Sequence, residues 1–235
     1  LYLTGATNNE DEPALIAAGI GLMVQPGNSY HLRADRYPFY GADNGCFAGR
    51  WVEEEHFAWL EQLPRENCLF AVAPDVYPEA RATLERSSQY FGLIRELGFP
   101  AALVAQDGAE SLDLPWDDFD CLFIGGERRT PSYLEWKVGP QAEALCHEAR
   151  RRGLWVHMGR VNSLRRLKRA RQMGCLSVDG TFIKYRRRRR AADAPGQRDD
   201  RKGDLPRLVG WLAANPELPW AHETPALPVH RRAAS

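Results

Sequence analysis

The stretch from Leu69-Phe-Ala-Val-Ala73-Pro-Asp75 to Ala101-Ala-Leu-Val-Ala105-Gln-Asp107 decides the fold. Each run is apolar at consecutive positions, the pattern of a strand buried on both faces rather than one face. Each ends on polar residues. Between them, residues 79–98 read as a helix with Leu84, Phe91, Ile94 and Leu97 near one face. A strand, a helix and a second strand make the repeating unit of a parallel α/β sheet.

The same alternation extends in both directions. Candidate strands fall near 1–6, 20–25, 39–43, 68–74, 101–106, 121–125, 154–158 and 175–179. Helical stretches lie near 12–19, 52–63, 79–98, 133–152 and 163–173, the last capped by Ser163 and stopped by Gly174. The crossovers after the second and fifth strands read as loops with little helix. Eight strands with mostly helical crossovers predict a single-domain (β/α)8 TIM barrel over residues 1–215. A doubly wound open sheet competes, but no GxGxxG turn supports it. The strand ends carry Asp43-Asn44, Asp75, Gln106-Asp107, Gly125-Gly126, Met158-Gly159 and Asp179. A barrel puts its active site at those ends.

The formal net charge is zero, yet it is unevenly spread. Residues 150–190 hold fifteen Arg or Lys and one acid, Asp179; the remainder has sixteen basic residues against thirty acidic ones. Such asymmetry orients a polyanion on one face. Residues 186–204 read as an exposed, flexible basic loop after the last strand. A final helix is expected near 205–214, and 216–235 as an irregular tail. The five cysteines are widely spaced, with no CxxC pair and no disulfide framework. No apolar run approaches a membrane span and no signal pattern opens the chain, so a soluble, cytoplasmic protein is expected, with no membrane partner.

Several short motifs resemble those of one family. Gly27-Asn-Ser-Tyr-His-Leu32 resembles the GNTYHL motif of tRNA-guanine transglycosylases, and Asp43-Asn-Gly-Cys-Phe47 their DSGGF. Val104-Ala-Gln-Asp-Gly108 is similar to their VQGG, Ile124-Gly-Gly126 to their VGG, and His157-Met-Gly159 to their LMG. Cys175-Leu-Ser-Val-Asp179 is similar in spacing to the segment that holds their nucleophile. The six matches keep the family's order. The compact length looks most like the DNA-directed branch, the deoxypurine-in-DNA protein A (DpdA) type of phages and bacterial islands.

The resemblance implies a pentosyltransferase that replaces guanine in DNA with a 7-deazaguanine, such as 7-cyano-7-deazaguanine, without a cofactor. Asp179 would attack C1′ and form a glycosyl-enzyme, and Asp43 would manage protons on the bases. Asp75 would accept from the guanine N1–H and N2–H2, while the Gln106 amide and the Gly126 N–H donate to O6. Asn44, Gly125 and Gly159 would complete the pocket, with Phe47 and Met158 sandwiching the ring. Lys184, Arg186, Arg187, Arg188, Arg189 and Arg190 would clamp phosphates.

Plainer readings stand beside these. Asp43 can make an Asx-turn before Gly45, Asp75 can belong to a simple turn, and Met158 can be ordinary barrel packing. Tyr30 and His31 can support the Asp43 loop or be structural, and the basic run can be a solvated segment.

The chain departs from the family pattern in three places. Asn44 stands where the family has serine, and Glu127 where a small apolar residue is usual. The CxCxxC…H zinc site is missing, so no metal is expected. Alternatives are an RNA-directed transglycosylase of the tRNA type, a catalytically silent nucleic-acid-binding barrel, and a glycosidase using the same two acids.

Overall fold

The structure is a computed structural model, described for residues 1–5, 12–49, 51–126 and 135–181. Eight strands close into one barrel in sequence order: β1 (Tyr2–Thr4), β2 (Gly21–Val24), β3 (Tyr40–Ala42), β4 (Cys68–Val72), β5 (Ala101–Ala105), β6 (Cys121–Ile124), β7 (Trp155–Met158) and β8 (Ser177–Gly180). Every neighbouring pair is parallel, and β8 closes on β1 with Leu3 opposite Asp179. The predicted (β/α)8 barrel is thus the fold, with each expected strand present.

Helices α1 (Glu12–Ala17), α2 (Glu53–Leu60), α3 (Ala80–Ser87), α4 (Phe91–Glu96), α5 (Pro140–Arg151) and α6 (Leu164–Gln172) pack outside it. The crossovers after β2 and β5 contain only 3-10 turns, as the sequence suggested. Ser163 caps α6 by accepting from the Arg166 N–H at 3.2 Å, and Gly174 ends the following turn with φ +85°. No helix among the described residues is long and apolar enough to cross a membrane.

Two helices differ from the sequence reading. Residues 79–98 break at Ser88–Tyr90 into α3 and α4. The inner face of α3 is polar: Thr83 bonds both backbone groups of Val76, and the Ser87 hydroxyl donates to Pro74 O at 2.9 Å. The apolar contact belongs to Phe91 and Ile94 of α4, so the two segments seat on the barrel by different chemistry. Helix α5 starts at Pro140 rather than at 133. Proline suits the first helical position, where no N–H is needed, and a 3-10 turn at Trp136–Val138 precedes it.

Apolar side chains fill two layers. Leu22, Ala71, Leu103, Leu122, Val156 and Met158 point toward the helices. Leu3, Phe70, Val72, Val104 and Trp155 fill the barrel interior. Fully burying each large side chain contributes roughly 1.5–3 kcal/mol. At the end of the barrel away from the site, Arg95 grips Asp120 through two bonds of 2.9 Å, and Asp120 accepts from the Ala101 N–H at 2.9 Å.

The basic residues Lys184, Arg186, Arg187, Arg188, Arg189 and Arg190, the loop 186–204, the helix expected near 205–214 and the tail 216–235 lie outside the described residues. So does Glu127.

Candidate active site

The C-terminal ends of the strands surround a slot of about 630 Å3, open mouth included. Asp43 and Asp179, from the ends of β3 and β8, both line it. Asn44, Phe47, Asp75, Gln106, Gly125, Gly126 and Gly159 also line it, as the sequence predicted. Apolar wall is supplied by Met23, Val72, Val104 and Phe123.

Met158 is the exception. Strand side chains alternate between faces, so with Asp179's partner His157 pointing inward, Met158 must point outward. It is fully buried in the helix-facing layer and does not line the slot. The expected sandwich of Phe47 and Met158 is therefore corrected: Met23 and Phe123 stand on the inner wall instead.

One carboxylate is held from behind by side chains in series. Trp155 Nε1 donates to Ser177 Oγ at 2.7 Å, and Ser177 Oγ lies 2.7 Å from His157 Nδ1. His157 Nε2 lies 3.1 Å from Asp179 Oδ2. With Ser177 Oγ accepting the hydrogen bond from the tryptophan N–H, its own hydroxyl donates to Nδ1, which leaves Nε2–H for Asp179. Burial lowers the pKa of His157, consistent with this neutral tautomer, while the bond to Asp179 opposes the shift. The second oxygen, Asp179 Oδ1, accepts from the Arg160 N–H at 3.2 Å. Arg160 reaches this position with φ 58°, the one positive φ among the described non-glycine residues. Gly159 is needed beside it, since a Cβ there would stand 2.6 Å from the Phe123 ring and 3.3 Å from Asp179 Oδ2.

Asp43 has its pKa raised to about 6, first by burial and then by the charge of Asp179. Backbone bonds from Gly45 and Asn44 oppose the rise, so Asp43 makes the bonds of an Asx-turn while its carboxyl faces the slot.

A separate relay forms the polar wall. Asn44 Nδ2 donates to Ala73 O at 2.8 Å and to Asp75 Oδ1 at 3.0 Å. Gln106 Nε2 donates to Asp75 Oδ2 at 2.8 Å, and the Gly126 N–H donates to Gln106 Oε1 at 3.0 Å. The two groups expected to donate into the slot are thus bonded along the wall. Burial raises the pKa of Asp75, and the bonds from Asn44 and Gln106 oppose it. Gly126 adopts φ +82°, and a Cβ there would stand 2.7 Å from Asp107 Oδ1.

Phe47 is 57% exposed at the mouth, with the Arg160 guanidinium 3.6 Å from its ring centroid and Tyr77 edge-on at 5.1 Å. Tyr30 and His31 stay outside the slot. His31 Nδ1 lies 2.7 Å from Asn28 O, and its ring meets Trp59 edge-on, so this histidine is structural.

Sequence reasoning gave no role to His157, Ser177, Arg160 or Lys137. The period of two would have paired Ser177 with Asp179. Lys137 offered no signal, because it fell inside the expected helix 133–152. Its Nζ donates to Gly159 O at 3.0 Å while the side chain lines the slot.

All five cysteines are free, and the described residues contain no group of three or more His, Cys, Asp or Glu able to hold a metal.

No protein-family model matches the chain, and no curated protein matches it. Among solved structures, one described as "Native KDPGal structure" has a TM-score of 0.53 at 16% identity, covering 92% of this chain and 93% of that one. At that identity the likeness shows the barrel fold alone. A cube-shaped, highly porous protein cage, designed by fusing symmetric oligomeric domains, has a TM-score of 0.49 at 14% identity over 92% of this chain and 71% of that one.

Proposed function

We propose that this protein is an enzyme, a pentosyltransferase that replaces guanine in DNA with a 7-deazaguanine through a covalent bond between Asp179 and the sugar. One observation carries the reading: two acids from distant strands face one slot, and the charge of one raises the pKa of the other. A double displacement at C1′ needs such a pair, one carboxylate to attack and one group poised near neutrality to carry protons.

The steps follow from the groups present. Asp179 stays oriented by His157 and the Arg160 N–H, and attacks C1′ while the guanine bond breaks. Asp43 gives a proton to the departing base. The 7-deazaguanine then enters, yields a ring proton to Asp43, and its nitrogen attacks C1′ to release Asp179. Asp75, which accepts from Asn44 and Gln106 along the wall, takes the N1–H and N2–H2 edge of the base as further donors. At O6, the base carbonyl replaces Gln106 Oε1 as the acceptor for Gly126 N–H. The ring packs between Phe47 and the wall of Val72, Val104 and Phe123.

DNA is favoured as partner by the basic 150–190 segment. Within it, Arg165 and Lys168 are exposed on α6, whose N-terminus follows the site end of β7. Such a face attracts phosphate with strong salt dependence. Reaction at C1′ of a duplex nucleotide requires flipping the base out, at a few kcal/mol.

The test offers labelled guanine together with DNA and tRNA. Label entering DNA supports the reading. Label entering tRNA alone makes the enzyme RNA-directed, and salt-sensitive binding of DNA without exchange of any base leaves only a binding barrel.

A further inference from the structure

Lys137 is the only lysine lining the slot among the described residues, and the base-exchange chemistry does not use it. It projects from the 3-10 turn between β6 and α5, is 4% exposed, and has Gly159 O as its hydrogen-bond acceptor at 3.0 Å. Gly159 also abuts the Asp179 carboxylate, close enough that a Cβ on it would lie 3.3 Å from Oδ2. The amine and the carboxylate therefore flank the same glycine at the end of β7. Both line the slot, and the Asp179 charge acts on the amine.

We propose that Lys137 captures the C1′ aldehyde of an abasic deoxyribose as a reversible imine. This rests on the base-exchange reading, which puts a deoxyribose C1′ beside Asp179. When water rather than a base releases Asp179, the product is an abasic hemiacetal in equilibrium with its open-chain aldehyde. The Nζ lone pair adds to the aldehyde carbon as the C=O π pair moves onto oxygen, the nitrogen proton passes to that oxygen, and a carbinolamine forms. Its hydroxyl leaves as water with a proton from Asp43, and the C=N bond closes. One water is released on capture and one is consumed on return, so the step needs no oxidant or reductant.

The surroundings keep the amine usable. Burial lowers its pKa to about 8, helped by Arg166 and Arg160, while Asp179 and Glu135 act in the opposite direction. Arg166 is itself paired with Glu135. A neutral, nucleophilic fraction is therefore present near neutrality, and because the dehydration draws its proton from Asp43, whose pKa is about 6, capture is greatest between about pH 6 and 8 and falls on either side.

The probe is a labelled duplex oligodeoxynucleotide with one abasic site, incubated with the full chain and sodium borohydride, which reduces an imine to a stable amine. The expected result is a crosslink on a denaturing gel, mapping to the Lys137 peptide and absent with a tetrahydrofuran analogue that has no aldehyde. Lys137→Met and Lys137→Arg should both reduce it to background; the arginine variant keeps the positive charge, and circular dichroism checks that each variant is folded. Asp179→Asn should keep the crosslink while losing base exchange. A crosslink that persists in folded Lys137→Arg, or maps elsewhere, overturns the inference. Exchange without any wild-type crosslink overturns this inference alone. A Lys137 crosslink with no exchange of any base overturns the base-exchange reading alone.

Discussion

Asp43 and Asp179 stand at the ends of β3 and β8, on one slot, and the charge of Asp179 adds to burial in raising the Asp43 pKa to about 6. This has a consequence for stability. An unperturbed aspartate titrates near 3.8, so the unfolded chain gives up this proton before the fold does. Below about pH 4 both states keep the proton and there is no penalty. Between about pH 4 and 6 the unfolded chain releases the proton while the fold holds it, so a penalty builds and is complete above pH 6. Asp43→Asn should therefore stabilise the protein by on the order of 2 kcal/mol at neutral pH and by nothing at acid pH. Thermal melts of both proteins across that range check it. The same variant should lose exchange chiefly in kcat, together with the limb near pH 6 of the rate profile.

Ser177→Ala removes the hydroxyl that joins Trp155 to His157. Both partners are buried in the barrel, so the loss should cost about 1–3 kcal/mol. His157 then loses the bond that fixes its tautomer, and exchange should fall in kcat with the guanine KM unchanged. Urea melts and steady-state kinetics on one preparation measure both effects.

Phe47 and Met158, expected to share a base, should separate. Met158→Ala should destabilise by about 2–5 kcal/mol, as a core methionine does, while Met158→Leu leaves the guanine KM unchanged. Phe47→Ala should leave the melting temperature alone and raise that KM. An unchanged guanine KM in Phe47→Ala would remove the ring from base binding.

Asn44→Ala deletes a donor to Asp75 and so removes one of the bonds that oppose the rise in its pKa. The acceptor edge for N1–H and N2–H2 is weakened, and the guanine KM should rise about tenfold, equivalent to ~1.4 kcal/mol. Isothermal titration with guanine provides a second measure.

The barrel was legible because strands buried on both faces show as apolar runs such as Leu69–Ala73, and because polar residues ended them. Helix details were less so. An apolar periodicity over 79–98 could not reveal that Thr83 and Ser87 dock α3 through hydroxyls. Most of the slot was legible for a different reason: strand-end residues project to one end whatever the exact strand limits. Met158 misled because its motif placed it at the strand end, and only the alternation fixed by His157 and Asp179 decides its face. Lys137 and Arg160 could not be read, since each acts through a turn geometry that no spacing encodes.

The most direct test of the account is to denature the enzyme during turnover on guanine-containing DNA and map any protein–DNA linkage formed without borohydride. The account predicts an adduct on the Asp179 peptide that added guanine dissolves, and neither adduct nor exchange in an Asp179→Asn variant that still binds DNA. Full exchange by that variant, or a linkage mapped to another residue, would contradict it.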